Sequence, residues 1–412
     1  MLSMASFVFF HTVKWRTEMK IVQINTTFGK GSTGKICFGI GELLRKEGID
    51  NCVLYSGAGI GNSFGKKYTS EKNGKINALK SRIFGNFGFN SINDTKSLIA
   101  KLDEFSPDIV HIHNIHSHNC NFEMLLSYLK EHSIKVVWTF HDCWCFTGYC
   151  TYFDVAHCEK WKDNCHDCPQ KKFYSWFWDK SSELQKKKKY AFEGLDLTII
   201  TPSKWLAELV KESFLQDFPV KVIYNGIDQN IFRPMVNSAI PFPKKQEDKI
   251  VLGVSFGWEY RKGLDVFISL SERLPANYKI VLVGTDDKVD KGLPENIISI
   301  HRTHNQQELA EIYSAADVFV NPTREDNFPT VNIEALACGT PVVTFKTGGS
   351  PECIDETCGS VVDCDDIDAL EKEIIRICET KPYSKDACLK RAGKFDMNER
   401  FMEYVELYKE LL

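Results

Sequence analysis

The chain has 412 residues, 43% hydrophobic and 26% charged, with a formal net charge of −4. That length outgrows a single core and sets the expectation of two domains of roughly 150–200 residues each. The small acidic charge excludes a general grip on nucleic acid, and no run of roughly 18 apolar residues is present to cross a bilayer.

Residues 1–18 differ in character from the remainder of the chain. Met1–Val13 is apolar but lacks a basic start and a small-residue cleavage site, so a secretory signal is not expected. Residues 1–18 are read as a non-native or disordered extension, with a short membrane-touching segment as the alternative. The 15 cysteines, an odd count with no signal peptide, point to the reducing cytoplasm rather than to a disulfide framework.

From Met19 onward, short Val- and Ile-rich runs alternate with helix-length amphipathic segments. The runs are "KIVQIN" (20–25), "NCVLYSG" (51–57), "DIVHIHN" (108–114), "KVVWTFHD" (135–142) and "LTIITPS" (197–203). Near-continuous apolar strands separated by helices imply right-handed βαβ units and a parallel sheet buried on both faces. After the first run, "FGKGSTGKI" (28–36) nearly has the P-loop spacing. Ile36 stands where a Mg²⁺-binding Ser or Thr is needed, so an ATPase is rejected. A glycine-rich turn into a helix still makes an anion site, for which Gly31, Ser32 and Gly34 are the candidates. The run "HIHNIHSHN" (111–119) packs four histidines at a strand end, a metal site or, preferred here, cleft lining without an assigned role. "WTFHDCW" (138–144) places His141 and Asp142 at the next strand end.

A cysteine-rich insert (143–170) comes next, with Cys150, Cys158, Cys165 and Cys168 spaced C-x7-C-x6-C-x2-C. Four thiolates in a loop-rich segment suit a structural tetrahedral Zn²⁺, with Cys143, Cys145, His157 and His166 as substitutes and reduced thiols or an iron–sulfur ligand set as alternatives. Aromatics and lysines interleave over 171–192, and Lys186 to Lys189 form a basic run. That segment reads equally as a seat on an anionic inner membrane or as a solvated helix face. Ser203 reads as the N-cap of the helix "KWLAELVKES".

Residues 234–248 carry three prolines and little periodicity, which suits a boundary. The pattern then restarts with runs at 249–256, 279–285, 297–302, 318–323 and 341–346. The expected organisation is a first domain over 19–235, a second over 236–395, and a terminal helix, 396–412, returning to the first. Two doubly wound domains of this kind face a central cleft at the carboxyl ends of their strands.

The most informative stretch is 321–343, "NPTREDNFPTVNIEALACGTPVV". Asp326 and Glu334 are eight residues apart, one in a loop and one opening a helix whose free N–H groups suit hydroxyls and phosphates. Gly339 and Pro341 end that helix. The stretch resembles the E-x7-E signature of family 4 retaining glycosyltransferases, which have the GT-B fold. "VIYNGIDQNIFRP" (222–234), "RKGLDVFI" (261–268), "YSAADVFVNP" (313–322) and "TGGSPECIDETCG" (347–359) match other segments of that family in order. The cysteine insert resembles one found in a subset that builds bacterial surface polysaccharides of colanic acid or capsule type.

The resemblance implies an α/β protein of two Rossmann-like domains. It also implies transfer of a hexose-type sugar, with retention, from a UDP- or GDP-linked donor to a saccharide or lipid-linked acceptor. It gives Glu334 the ribose hydroxyls, and Asp326 or the adjacent Glu325 the donor sugar. Main-chain groups of Asn327, Phe328 and Pro329 line the same pocket, with Thr330 also on the donor, and Arg261 and Lys262 take the departing diphosphate. His141 lies beside the sugar, and no catalytic metal is expected. An arginine usual in the family is missing from "VSFGWEY" (254–260). The expected place is the cytoplasm, with a peripheral seat on the inner face of the membrane as an option and no nucleic-acid partner. The rival readings are a catalytically impaired zinc-containing sugar- or lipid-binding protein and a nucleotide-sugar epimerase of the same fold.

Overall fold

The computed structural model describes residues 19–116, 118–235 and 240–412, so the expectation for residues 1–18 lies outside the described residues. The first sheet is built from β1 (Lys20–Asn25), β2 (Asp50–Tyr55), β3 (Gly65–Lys67), β4 (Ile109–Ile112), β5 (Lys135–Thr139), β6 (Leu197–Thr201) and β7 (Val220–Val222), in the order β3-β2-β1-β4-β5-β6-β7. The second holds β8 (Lys249–Val254), β9 (Tyr278–Val283), β10 (Ile297–Ile300), β11 (Val318–Asn321), β12 (Val342–Phe345) and β13 (Gly359–Val362), in the order β10-β9-β8-β11-β12-β13. Every strand pairing is parallel. In each sheet the order reverses beside its first strand, and these reversals mark where open parallel sheets bind ligands.

The central strands are the ones the apolar runs announce. Ile21, Val22 and Ile24 of β1 and Ile250, Val251 and Leu252 of β8 are fully buried, as strands covered by helices on both faces must be. β3, β7 and β13 are additional, short strands of three or four residues, each at a sheet edge.

The terminal helix Met397–Leu411 lays Phe401, Tyr404, Val405 and Tyr408 on Ile36, Ile40 and Leu44 of the helix Gly31–Lys46 and on Ile21, Ile109, Val137 and Ile200 of the first sheet. Its two tyrosines also make polar bonds there. The Tyr408 hydroxyl lies 2.6 Å from Nδ1 of His111, whose Nε2 is 2.8 Å from Thr139 Oγ1. His111 therefore serves the packing of this helix. It does not line the cleft as its place in the histidine run suggests, because it lies within β4, where the terminal helix covers it, whereas His113 lies past the strand's carboxyl end.

Candidate active site

The loop between β11 and the helix Thr330–Ala337 is held by a buried arginine. The Arg324 guanidinium forks onto Asp265 at 2.9 and 2.8 Å, and its Nε donates to Asp365 at 2.8 Å. From below, the turn at Gly348 and Gly349 presses on the loop. A Cβ at Gly348 would stand 1.8 Å from the Asp326 carbonyl oxygen, and one at Gly349 2.0 Å from that of Asn327. Only glycine permits that approach.

The loop sends its two acidic side chains in different directions. Asp326 Oδ2 accepts from Lys262 Nζ at 2.5 Å, both side chains about one-fifth exposed at 21% and 19%. Glu325 is buried and turns toward the cysteine insert, where Oε1 accepts from the Val155 backbone N–H at 2.8 Å. Burial holds its carboxyl above the ordinary range. So Asp326, at the counted signature position, is the cleft carboxylate, and Glu325 is a tether to the first domain. Arg261 donates to the Glu325 carbonyl at 3.1 Å and lies 5.8 Å from the centroid of the Tyr152 ring, another residue of the insert.

Glu334 sits one turn inside its helix rather than at the opening. It accepts from the Tyr313 hydroxyl at 3.1 Å and from Thr330 Oγ1 at 3.5 Å. Burial pushes its carboxyl up to about 7, opposed by the Tyr313 bond and by the positive charge of Lys35. Lys35 belongs to the helix Gly31–Lys46, so the glycine-rich turn of the first domain faces Glu334 of the second. In that turn Gly29 and Gly31 have φ of 66° and 67°, Gly31 and Ser32 are exposed at the helix start, and Gly34 is buried. A Cβ at Gly34 would stand 2.6 Å from Thr27 Oγ1.

Asn327 and Phe328 do not offer side chains to a ligand. Asn327 bridges the domains: its Oδ1 accepts from Ser203 Oγ at 2.6 Å, and its Nδ2 donates to the His141 carbonyl at 3.1 Å. Phe328 packs between Tyr224 and Phe395, while Pro329 is the N-cap position of the Thr330 helix. The His141 ring lies 3.2 Å from Nδ1 of His113, and burial lowers its pKa to about 4, so it is neutral at pH 7. Beside it, Nε2 of His116 lies 2.8 Å from Asp142 Oδ2. Of the four histidines in the run, His113 and His116 join this group, while His118 turns to Ser81.

Within the segment that lacks the family's arginine, Trp258 is buried and donates its ring N–H to the Val283 carbonyl at 3.0 Å. No cation stands there, which leaves Arg261, Lys262 and Lys35 as the positive charges around the carboxylates. Sequence reasoning missed Lys35, Tyr152 and Glu352. The near-miss P-loop spacing was a signal for Lys35, whereas nothing local marks the other two. Glu352 accepts from the backbone N–H groups of Lys204 and Trp205, both at 2.8 Å, and from the Tyr224 hydroxyl at 3.0 Å. It thereby binds the second domain to a helix start of the first.

Cys150, Cys158, Cys165 and Cys168 line one small cavity of ≈ 10 Å³ together with Trp161 and His166. The Gly148 N–H points at Cys165 Sγ, 3.3 Å away. Burial pushes the thiols of Cys150 up to about 12 and of Cys165 and Cys168 up to about 11. Among the described residues, no three His, Cys, Asp or Glu side chains stand where one metal ion could be held. Cys143 and Cys145 are buried in the first core. Next to the cavity, Lys188 is fully buried. It donates to the carbonyls of Trp144 at 2.6 Å and Thr147 at 3.0 Å, and lies 3.7 Å from the centroid of the Trp144 ring. The four-lysine run is therefore not a single basic surface, because helical periodicity turns Lys188 inward.

Two facing Rossmann-like domains, with paired carboxylates and cations between them, define a glycosyltransferase of the GT-B fold. Residues 38–230 match the model for "Glycosyltransferase Family 4" and residues 248–380 that for "Glycosyl transferases group 1"; the chain belongs to this family. The colanic acid biosynthesis glycosyl transferase WcaC of Escherichia coli is 23% identical, over 95% of this chain and 100% of that one. Sucrose-phosphate synthase of Thermosynechococcus elongatus superposes with a TM-score of 0.69 at 17% identity, covering 96% of this chain and 99% of that one. Anabaena HepE, solved with UDP and glucose, superposes with a TM-score of 0.64 at 16% identity, covering 95% and 100%. The chain is thus a glycosyltransferase, and among its described residues no helix is long and apolar enough to cross a membrane.

Proposed function

We propose that this enzyme transfers a hexose-type sugar, with retention, from a UDP- or GDP-linked donor to a saccharide acceptor carried on a lipid, in assembly of a surface polysaccharide. The observation that carries the reading is the Asp326–Lys262 pair, with Glu334 eight residues beyond Asp326 and bonded to Tyr313 and Thr330. A carboxylate accepts two hydroxyl bonds at once, which suits Glu334 to a ribose diol. Lys262, freed from Asp326 by an incoming diphosphate, neutralises the charge that builds on the leaving group, and Arg261 and Lys35 flank it. No residue needs to act as a nucleophile: the donor C1–O bond breaks and the acceptor oxygen bonds C1 on the same face. The acceptor proton passes to the departing diphosphate, while the protein positions charges and excludes water.

Incubation of residues 19–412 with a panel of UDP-, GDP- and ADP-sugars, scoring nucleoside diphosphate release and anomeric configuration, tests this. Release from a UDP- or GDP-hexose with retained configuration is expected, with Lys262→Ala slowed about 100-fold or more in kcat. Tight donor binding without turnover would favour the impaired binding protein, and epimerised donor without transfer would favour the epimerase.

We also propose that the cavity ringed by the four thiols holds a structural zinc ion, reached by rotation of the half-exposed Cys158 and Cys168 side chains. A tetrathiolate site carries net negative charge, and the buried Lys188, whose pKa burial lowers to about 7, stands beside it bonded to carbonyls. Elemental analysis should find about one zinc per chain, lost with the fold of the insert in Cys165→Ser. A folded, metal-free chain overturns it.

A further inference from the structure

The first domain carries a surface that its own core does not explain. On the helix Glu71–Phe84, Ile76, Leu79 and Phe84 are exposed, and in the segment 171–178 so are Phe173, Trp176, Phe177 and Trp178, at 55–71%. Backbone bonds join the two pieces. The Trp176 N–H donates to the Arg82 carbonyl at 2.7 Å, and the Arg82 guanidinium donates to the Lys172 carbonyl at 3.2 Å. Contiguous exposure of large apolar side chains on this scale marks an interaction surface.

The charge on this surface selects the partner. Lys72, Lys75, Lys80 and Lys172 are exposed among these rings, and none forms an ion pair among the described residues. The segment 171–178, "KKFYSWFW", contains no acidic residue, in a chain whose net charge is −4. Indole and phenyl rings interleaved with lysines suit a lipid interface, where the rings enter at headgroup depth and the ammonium groups meet anionic phosphates. A protein partner would instead call for shape and bonded polar groups, which loosely placed lysines do not supply.

The surface also lies close to the cleft. Tyr174 stacks on Tyr149 at 5.5 Å and meets Phe87 at 5.3 Å, and Phe87 lies 6.3 Å from His116, the partner of Asp142. One layer of rings therefore separates the exposed aromatics from the acceptor half of the site.

We propose that the face formed by the helix Glu71–Phe84 and residues 171–178 docks the enzyme on an anionic membrane surface. The docking stands apart from the chemistry. Only its use, presenting the cleft to an acceptor held in the bilayer, rests on the transfer reading above.

Co-sedimentation of the full chain with vesicles of phosphatidylcholine alone, and with about one-third phosphatidylglycerol, tests it. Binding to the anionic vesicles is expected, weakened by salt. It should fall more than about tenfold both in Trp176→Ser/Phe177→Ser and in Lys72→Glu/Lys75→Glu/Lys80→Glu. All five positions are exposed, so both variants should fold, as circular dichroism and unchanged donor binding would verify. Wild-type vesicle binding that neither variant reduces overturns the proposal. So does a failure of the wild-type chain to bind the anionic vesicles, and a dimer seen by sedimentation velocity that Trp176→Ser/Phe177→Ser abolishes would then assign the face to a second copy of the chain. Loss of sugar transfer with docking intact would count against the transfer reading alone.

Discussion

Glu334 shows how one half-buried carboxylate ties stability to pH. Its folded pKa of about 7 lies above the unfolded value because charging it inside the cleft costs solvation. A raised folded pKa means that the contribution is fully present below the unfolded pKa, near 4.5, and is lost as pH rises through about 7. Glu334→Gln lacks this dependence. Thermal unfolding should therefore show the wild type losing ground to the variant between about pH 5 and pH 8, with no further change above that range. Donor binding should move the opposite way. Diol recognition uses the charged form, so calorimetric titration with a nucleoside diphosphate should give tighter wild-type binding at pH 8 than at pH 6, and weak binding by Glu334→Gln at both. A flat wild-type binding profile would remove Glu334 from the ribose contact.

At the scale of elements, the donor loop is fixed less by its own sequence than by what presses on it. Arg324 holds it from within through Asp265 and Asp365, and the turn at Gly348 and Gly349 supports it from beneath. A methyl group at Gly349 would meet the Asn327 oxygen at 2.0 Å and Ser203 Cβ at 2.7 Å. Both contacts lie in packed backbone that cannot yield by a rotamer change. Gly349→Ala should cost about 1–3 kcal/mol in urea unfolding and displace Asp326, lowering kcat more than it raises KM. The cysteine insert acts at this scale too. Whatever its thiols hold, its Val155 N–H and Tyr152 ring reach Glu325 and Arg261, so an apparent accessory element forms a wall of the site.

For the molecule as a whole, closure of the two domains rests on a few polar links. Glu352 spans the junction to the helix start at Lys204 and Trp205 and to Tyr224, and Asn327 spans it to Ser203 and His141. Glu352→Ala removes three of these bonds and leaves helix N–H groups to water. Small-angle scattering should show a larger radius of gyration without ligand, and KM for the donor should rise about tenfold while saturating donor restores most of kcat. An unchanged scattering profile would mean that the remaining links, among them Asn327 to Ser203 and His141 and Glu325 to Val155, hold the domains without Glu352.

The two sheets were legible because buried parallel strands are long apolar runs, and β1, β4, β5, β8, β11 and β12 fall within the runs that announced them. The edge strands β3, β7 and β13 were not. A strand paired on one side needs little apolar sequence, and at three residues "GKK" and "VKV" are too short to carry the signal. The spacing of Asp326 and Glu334 and the pair Arg261-Lys262 were legible for the same local reason, since a loop, a helix and a turn each present residues at fixed intervals.

Periodicity and spacing act over short distances along the chain. For that reason the amino-acid order alone was enough for the two-domain α/β architecture, and its resemblance to known sequences was enough for the family. It took the packed molecule to settle which of Glu325 and Asp326 meets Lys262. Packing also settled that His111 and Lys188 turn inward and that the insert reaches Glu325 and Arg261 through Val155 and Tyr152. Those outcomes depend on which surfaces meet across the cleft and on the cost of burying each charge, and residues far apart in the chain set both.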